Sequence, residues 1–487
     1  MNRSLWLVIA VVAAALVPLT SGVAPAAAQG AGTVPCTQDA LVAAVNAANT
    51  ADGGTINLDG GCDYALTTAD NGENGLPVVT TRIAVNGNGA TIDGTDTVRV
   101  FEVDGPGGNL SLQDVTITGG SADIGGGIEN VGGAVTLNHS HVTGNTAAIA
   151  GGGLASATFD PSSVAKLTLN NSTVIDNTQA DTGDTDGLGG GGILNILGTA
   201  TLNGSQVNEN TANGFVGGGI ANGDYLNFSD TGSVLTLNHS EVNGNDAPNA
   251  GGGGGIQNLL GSVTLNSSKV NGNTAPNGGG ISSGPGNGNS PGPTSHLTLN
   301  KSQVDGNTAT VPVPQPGSDE EGPPIAAGGI ANGGDAVLNQ SEVDGNTASH
   351  TSGAGIVNHG TMTLNKTEVD GNTAAGQGAV ASGGGILNAQ GPPGTNPTVL
   401  TLNSSEVNDN SAGGNGGGIA NGLALGGPMS PPGGTVTLNH SEVTGNTAAH
   451  AGGIFTNGGT VTLSASTVND NTPDNCEPPG TIAGCTG

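Results

Sequence analysis

Four acidic residues stand in two matching pairs, Glu342 with Asp344 and Glu368 with Asp370, and Glu406 and Glu442 extend the glutamate series. Residues i and i+2 of a strand share a face, so both members of a pair would project outward together. On neighbouring stacked strands these carboxyl groups would lie about 5 Å apart, the separation of a retaining glycosidase pair. The same spacing suits a divalent cation: like charges this close repel by roughly 0.8 kcal/mol even in water, and calcium takes several carboxylate oxygens. A catalytic pair is singular and sits in a cleft with aromatic or basic contacts, whereas these carboxylates recur. The expectation is a weak calcium patch at Glu342, Asp344, Glu368 and Asp370, weighed against a solvated acidic face that keeps the molecule soluble. No catalytic residue and no other cofactor is expected.

Other chemistry finds little support. A lyase acting on uronates needs a base to remove the α proton and cations to hold the carboxylates. No arginine follows Arg99, and Lys166, Lys269, Lys301 and Lys366 sit at or beside positions that hold Ser, His, Gln or Glu elsewhere. Clustered Asp residues with His and Arg-x-Lys, as a polygalacturonase-like hydrolase would show, are not found. His139, His239 and His440 share a position that elsewhere holds Asn171, Gly204, Ser267, Lys301 or Gln340, so no metal triad follows. The glycine runs lack the lysine of a phosphate-binding loop. Seven Lys plus Arg against 38 Asp plus Glu give a net charge of -31, which excludes a nucleic-acid reader and a polybasic membrane binder. Aromatic residues make up 2%, which removes the usual stacking contacts for sugars and bases, and 92 glycines in 487 residues do not suit an ordinary helical or α/β enzyme.

The elements that would carry these side chains repeat. A glycine-rich segment ending in an apolar residue recurs eleven times, from Ile128 to Ile454, usually with Asn two residues on. A second segment, T-L-N-x-S-x-V-x-x-N, also occurs eleven times, from Leu137 to Leu463, each with Val five residues after the Leu and Asn three after the Val. Insertions never enter this segment. The unit is about 25 residues, too small to bury its own apolar face, and its short runs alternate as strands do. Such units stack as rungs of a parallel β-solenoid about 60 to 70 Å long. Leu, Ser, Val and Ile should point inward, with the Asn series from Asn145 to Asn471 bonding from rung to rung at a bend. The glycines before each Ile suit a tight turn or close rung packing.

At the start, Arg3 precedes an apolar run from Leu5 to Leu19, and Ala26, Ala27 and Ala28 offer a peptidase site, so residues 1–28 are read as a cleaved secretory signal. The run is too short for a bilayer span, and none is expected after cleavage. Four cysteines in a secreted chain suggest two disulfides in one of three pairings; the local one, Cys36 with Cys62 and Cys476 with Cys485, would staple each terminus. Thr37 can cap a helix through Asn49, whose apolar face of Ala40, Leu41, Ala44, Val45 and Ala48 would cover the first rung. The insertions at 282–295, 310–324, 389–397 and 422–434 are read as solvated loops, with a protein-partner surface as the alternative.

The segments Gly125-Gly126-Gly127-Ile128 and Ser140-x-Val142-x-x-Asn145, each with ten relatives, resemble the right-handed parallel β-helix repeat proteins of bacterial surfaces. Their repeats are similar to those of the chlamydial polymorphic outer membrane proteins, and the fold is the pectin-lyase-like one. The resemblance covers residues 110–471 and implies fold, not function. It departs where Val replaces the phenylalanine of F-x-x-N, and no C-terminal translocating barrel is expected.

The sequence therefore predicts an all-β, right-handed parallel β-helix with a short N-terminal capping helix. Residues 1–28 would be the signal, 29–109 the cap and first coils, 110–471 the repeat helix, and 472–487 a disulfide-stapled tail. The expected role is a secreted, non-catalytic structural or adhesion protein, free or held at the cell surface, that meets an extracellular glycan or protein. The alternative is a polysaccharide lyase or glycoside hydrolase on the same fold.

Overall fold

The computed structural model describes residues 32–158, 163–180, 189–214, 217–223, 232–249, 252–284, 295–310, 326–349, 351–376, 381–390, 398–423 and 431–486. The chain divides into two units, Met1–Gly32 and Thr33–Gly487, and the second carries the fold. The expected signal at 1–28 lies outside the described residues, as do 285–294, 311–324, 391–397 and 424–430 of the insertions.

The Thr33–Gly487 unit is a parallel β-helix. One rung runs through the strands Ile128–Val131, Ala134–Asn138, His141–Thr143 and Thr146–Ala150, and the next begins at Leu154. The bends between them are left-handed: His139 has φ 48° and Gly144 φ 64°. Position 139 tolerates many residue types across the repeats because its side chain faces solvent at a bend, and each occupant adopts the same positive φ. The strands stack into a 20-stranded and a 13-stranded sheet with shorter sheets closing the coil. From Leu112 beside Leu137 to Leu438 beside Leu463, the Thr-Leu-Asn strands pair without a register shift.

Burial explains that constancy. The inward Leu, Val and Ile columns are fully buried through the central rungs, and each such side chain contributes about 1.5–3 kcal/mol. A one-residue slip would turn every Leu to the solvent face. The inward Ser column stays in the core because each hydroxyl is used twice. Ser172 Oγ accepts the Ser140 N–H at 3.1 Å and donates to the Asn170 carbonyl at 2.9 Å. At the following bend Asn145 sends its side-chain amide to Oδ1 of Asn177 at 2.9 Å, and the chain of such bonds continues to Asn471. This ladder is the one expected from the sequence. The glycine turn has both expected causes: Gly125 has φ 60°, and a Cβ on Gly126 would come within 2.3 Å of the Thr146 carbonyl oxygen.

An exterior apolar layer was not expected. Val357, Leu387 and Ala420 alternate with the inward Ile positions, so they point away from the core, yet they are buried with Ala327, Ala389 and Leu423. The described ends of two insertions cover them: Leu423 N–H donates to Pro431 O and Gln390 N–H to Pro432 O, both at 2.9 Å. These ends are packed structure rather than solvated loop.

Both ends of the unit carry the expected staples. α1 (Gln38–Thr50) has Thr37 as its N-cap and buries Leu41, Val45 and Ala48 against the first coils. Cysteines pair locally, Cys36 with Cys62 and Cys476 with Cys485. At the far end Cys476 and Ile482 pack on the last rung, where Val461, Leu463 and Val468 are only partly buried.

Candidate functional site

Register places the expected carboxylates side by side. Glu342 pairs with Glu368 and Asp344 with Asp370, and the glutamate column continues through Glu406 to Glu442. Glu368 and Glu406 are exposed and Glu342 and Glu442 half-buried; Gln303 Nε2 donates to Glu342 Oε2 at 2.6 Å, and Asn408 Nδ2 to Glu406 Oε2 at 3.2 Å.

The Asp column is built differently. Asn208 Oδ1 accepts the N–H of Asn243, and Asn243 Oδ1 that of Asn271. The series continues with aspartates: Asp305 Oδ1 accepts the Asp344 N–H at 3.2 Å, and Asp344 Oδ1 the Asp370 N–H at 3.1 Å. The bonding stops there, because Asp370 Oδ1 and Asn408 Oδ1 are buried atoms without a hydrogen-bond partner. Three stacked carboxylates thus occupy positions where other rungs hold a neutral amide. Burial, then the neighbouring Asp305, pushes Asp344 up to about 7. Asp370 and Glu368 are raised as well, first by burial and then by Asp409 and Glu406 respectively. A cation would relieve this crowding. Among the described residues, the only three potential ligand atoms within 4.8 Å of one another belong to Cys36, Asp59 and Cys62, and both thiols are spent in a disulfide. No three ligand atoms of Glu342, Asp344, Glu368 and Asp370 come within that distance of one another.

The strongest ionic cluster lies elsewhere and was missed. Arg99, 5% exposed, contacts Glu129 at 2.7 Å and Glu73 and Glu102 at 3.3 Å. Its remaining donors reach Asn74 Oδ1 at 2.6 Å and the carbonyls of Ile124 and Gly125. Glu102 and Glu129 are register neighbours. Burial pushes Glu129 up to about 7, against the pull of Arg99 and with the repulsion of Glu102 and Glu73. A raised carboxyl beside a second carboxylate is the arrangement of a general acid. The guanidinium, however, is saturated by the protein, so it has no donor left for a substrate carboxylate. The sequence signal for this cluster was Arg99 set between Val98 and Val100, a charge within an apolar run.

Lys166, Lys269, Lys301 and Lys366 are exposed, as expected. His139, His239 and His440 stand on the left-handed bends. His359 is half-buried, with Nδ1 2.7 Å from the Ala389 carbonyl, and loss of solvation lowers its pKa.

Compared with protein-family models, with curated proteins and with solved structures, the chain finds no match.

Proposed function

We propose that this chain is a secreted, extracellular structural or adhesion scaffold. One observation carries the reading: eleven rungs keep a single register from Leu137 to Leu463 while every insertion falls outside the Thr-Leu-Asn strands. A stack this constant suits a spacer that presents a repeated surface, and the local disulfides suit an oxidising compartment. The glycine-Ile and Ser-x-Val-x-x-Asn repeats extend the reading to the surface β-helix proteins with repeats like those of the polymorphic outer membrane proteins. Calcium bridging Glu342 to Glu368 and Asp344 to Asp370 would stiffen the acidic face. The test is a binding and turnover screen of the purified protein on pectin, polygalacturonate, alginate and cell-wall glycans, with and without calcium. Binding without product supports the scaffold; product formation overturns it.

A second reading, a glycan-cleaving enzyme, is favoured by Glu129, which carries a raised pKa beside Glu102. Loss of turnover in Glu129→Gln with the fold retained would support it.

A further inference from the structure

On the 20-stranded sheet the residues just before and just after each inward Leu face away from the core. The residue before is Thr on every rung from Thr136 to Thr462, with Val337 the one exception. The residue after is Asn on every rung from Asn138 to Asn439. Both series are in register from strand to strand, so they form two straight rows. Rungs repeat at about 4.8 Å, and the Thr and Asn of one strand stand about 6.6 Å apart.

The array is rigid and uncharged. Each Asn of the outer row donates its side-chain amide to Oδ1 of the Asn on the preceding rung, at 2.8 to 2.9 Å, from Asn170 to Asn439. Side-chain ladders of this kind also hold many-stranded sheets flat. Thr is stiff at χ1, so ordering this face on binding costs little conformational entropy. Neither row contains a charged residue, in a chain of net charge -31. Val234 and Val337, two of the three exposed large hydrophobic residues among those described, add methyl groups to the same sheet.

These features select the partner. It is uncharged where it meets these two rows, because charge on this face is confined to the flanking outward row, at Lys166 and the His296–Asp335 pair. It repeats in two dimensions, because two rows of different chemistry keep a fixed separation over the whole stack. A small solute would touch two or three rungs, whereas a lattice engages all of them at once, so that weak contacts accumulate. The prism face of hexagonal ice is an uncharged hydrogen-bonding lattice whose two repeat distances lie close to the two spacings of the array. We propose that the Thr–Asn face of this sheet binds ice. The scaffold reading stands independently of it.

The experiment is ice-affinity partitioning together with thermal hysteresis of the purified protein. Three forms are compared: the native chain; Thr264→Tyr, which places a ring at the middle of the Thr row; and Thr373→Tyr, on an exposed strand of a different sheet. Circular dichroism confirms that each is folded. The expected result is incorporation of the native protein into growing ice with a measurable hysteresis gap, loss of both in Thr264→Tyr, and retention of both in Thr373→Tyr. Exclusion of the folded native protein from ice overturns the proposal, and so does ice binding that Thr264→Tyr leaves intact. Binding to microcrystalline cellulose without binding to ice also overturns it and leaves the scaffold reading in place.

Discussion

Asn273 gives both its backbone N–H and its side-chain amide to one oxygen, Oδ1 of Asn307 on the next rung, each at 2.9 Å. The same amide reaches back to the Val242 carbonyl at 2.9 Å, so one side chain ties three rungs. Repeated at every bend, this arrangement satisfies polar groups that a buried turn would leave unpaired. Asn273→Ala removes the acceptor used by both donors of Asn245 and orphans the Val242 carbonyl. The expected cost is about 3 kcal/mol, since each buried unsatisfied group costs about 1–3 kcal/mol. Urea unfolding measures it, and a loss below about 0.5 kcal/mol, the scale of an ordinary surface substitution, would show that the bend does not depend on the ladder.

The protein should be more stable in mild acid than at slightly alkaline pH. Asp344 rises from 3.8 to about 7 on folding and Glu129 from 4.5 to about 7. Between the unfolded and folded values the native state holds more protons. Their contribution is complete below about pH 4 and disappears as pH climbs through 7. Melting temperature should therefore fall from pH 5 to pH 8. Asp344→Asn should flatten part of that slope and raise the melting temperature at pH 8, because Asn243 and Asn271 make the same rung-to-rung bond without charge. A melting temperature that rises over this range would contradict the assignment.

Much of this architecture could be read in advance because the Leu-to-Val offset never changes, and an invariant spacing on an inward face has one simple cause. The bend Asn series was legible for the same reason. The outer Asn row, beginning at Asn138, stood in the same repeat, but alternation alone says only that it faces outward. Whether its amides meet solvent or one another depends on strand spacing. The apolar run around Arg99 marks it as buried, but its partners could not be read from the sequence, for a different reason. It precedes the regular repeats, and while Glu102 is only three residues away, Glu73 and Glu129 come from the coils before and after, so no repeat interval links them to it. The exterior layer at Leu387 was hidden because its cover, Leu423, belongs to an insertion whose composition reads as loop.

Calcium should raise the melting temperature at millimolar concentration, the range of weak extracellular sites. Glu368→Gln combined with Asp370→Asn should abolish the increment. A melting temperature unchanged by chelation would remove the patch and leave a solvated acidic face.

Arg99→Met should destabilise the fold by about 3–5 kcal/mol, the usual result of removing one partner from a buried ionic network. It leaves Glu129 and Glu102 facing each other without their cation. Differential scanning fluorimetry at pH 5 and pH 8 should show the larger loss at pH 8, above the value of about 7 to which burial raises Glu129. Equal losses at the two pH values would mean that Arg99 acts through packing alone.

The most direct test of the stacked-amide account is hydrogen exchange at the bend asparagines. In this structure the backbone N–H groups from Asn145 to Asn446 donate to a buried side-chain oxygen on the next rung. They should exchange as slowly as the N–H groups of the adjoining strands. Exchange at the rate of an exposed turn would contradict the ladder, and with it the account of what holds the rungs together.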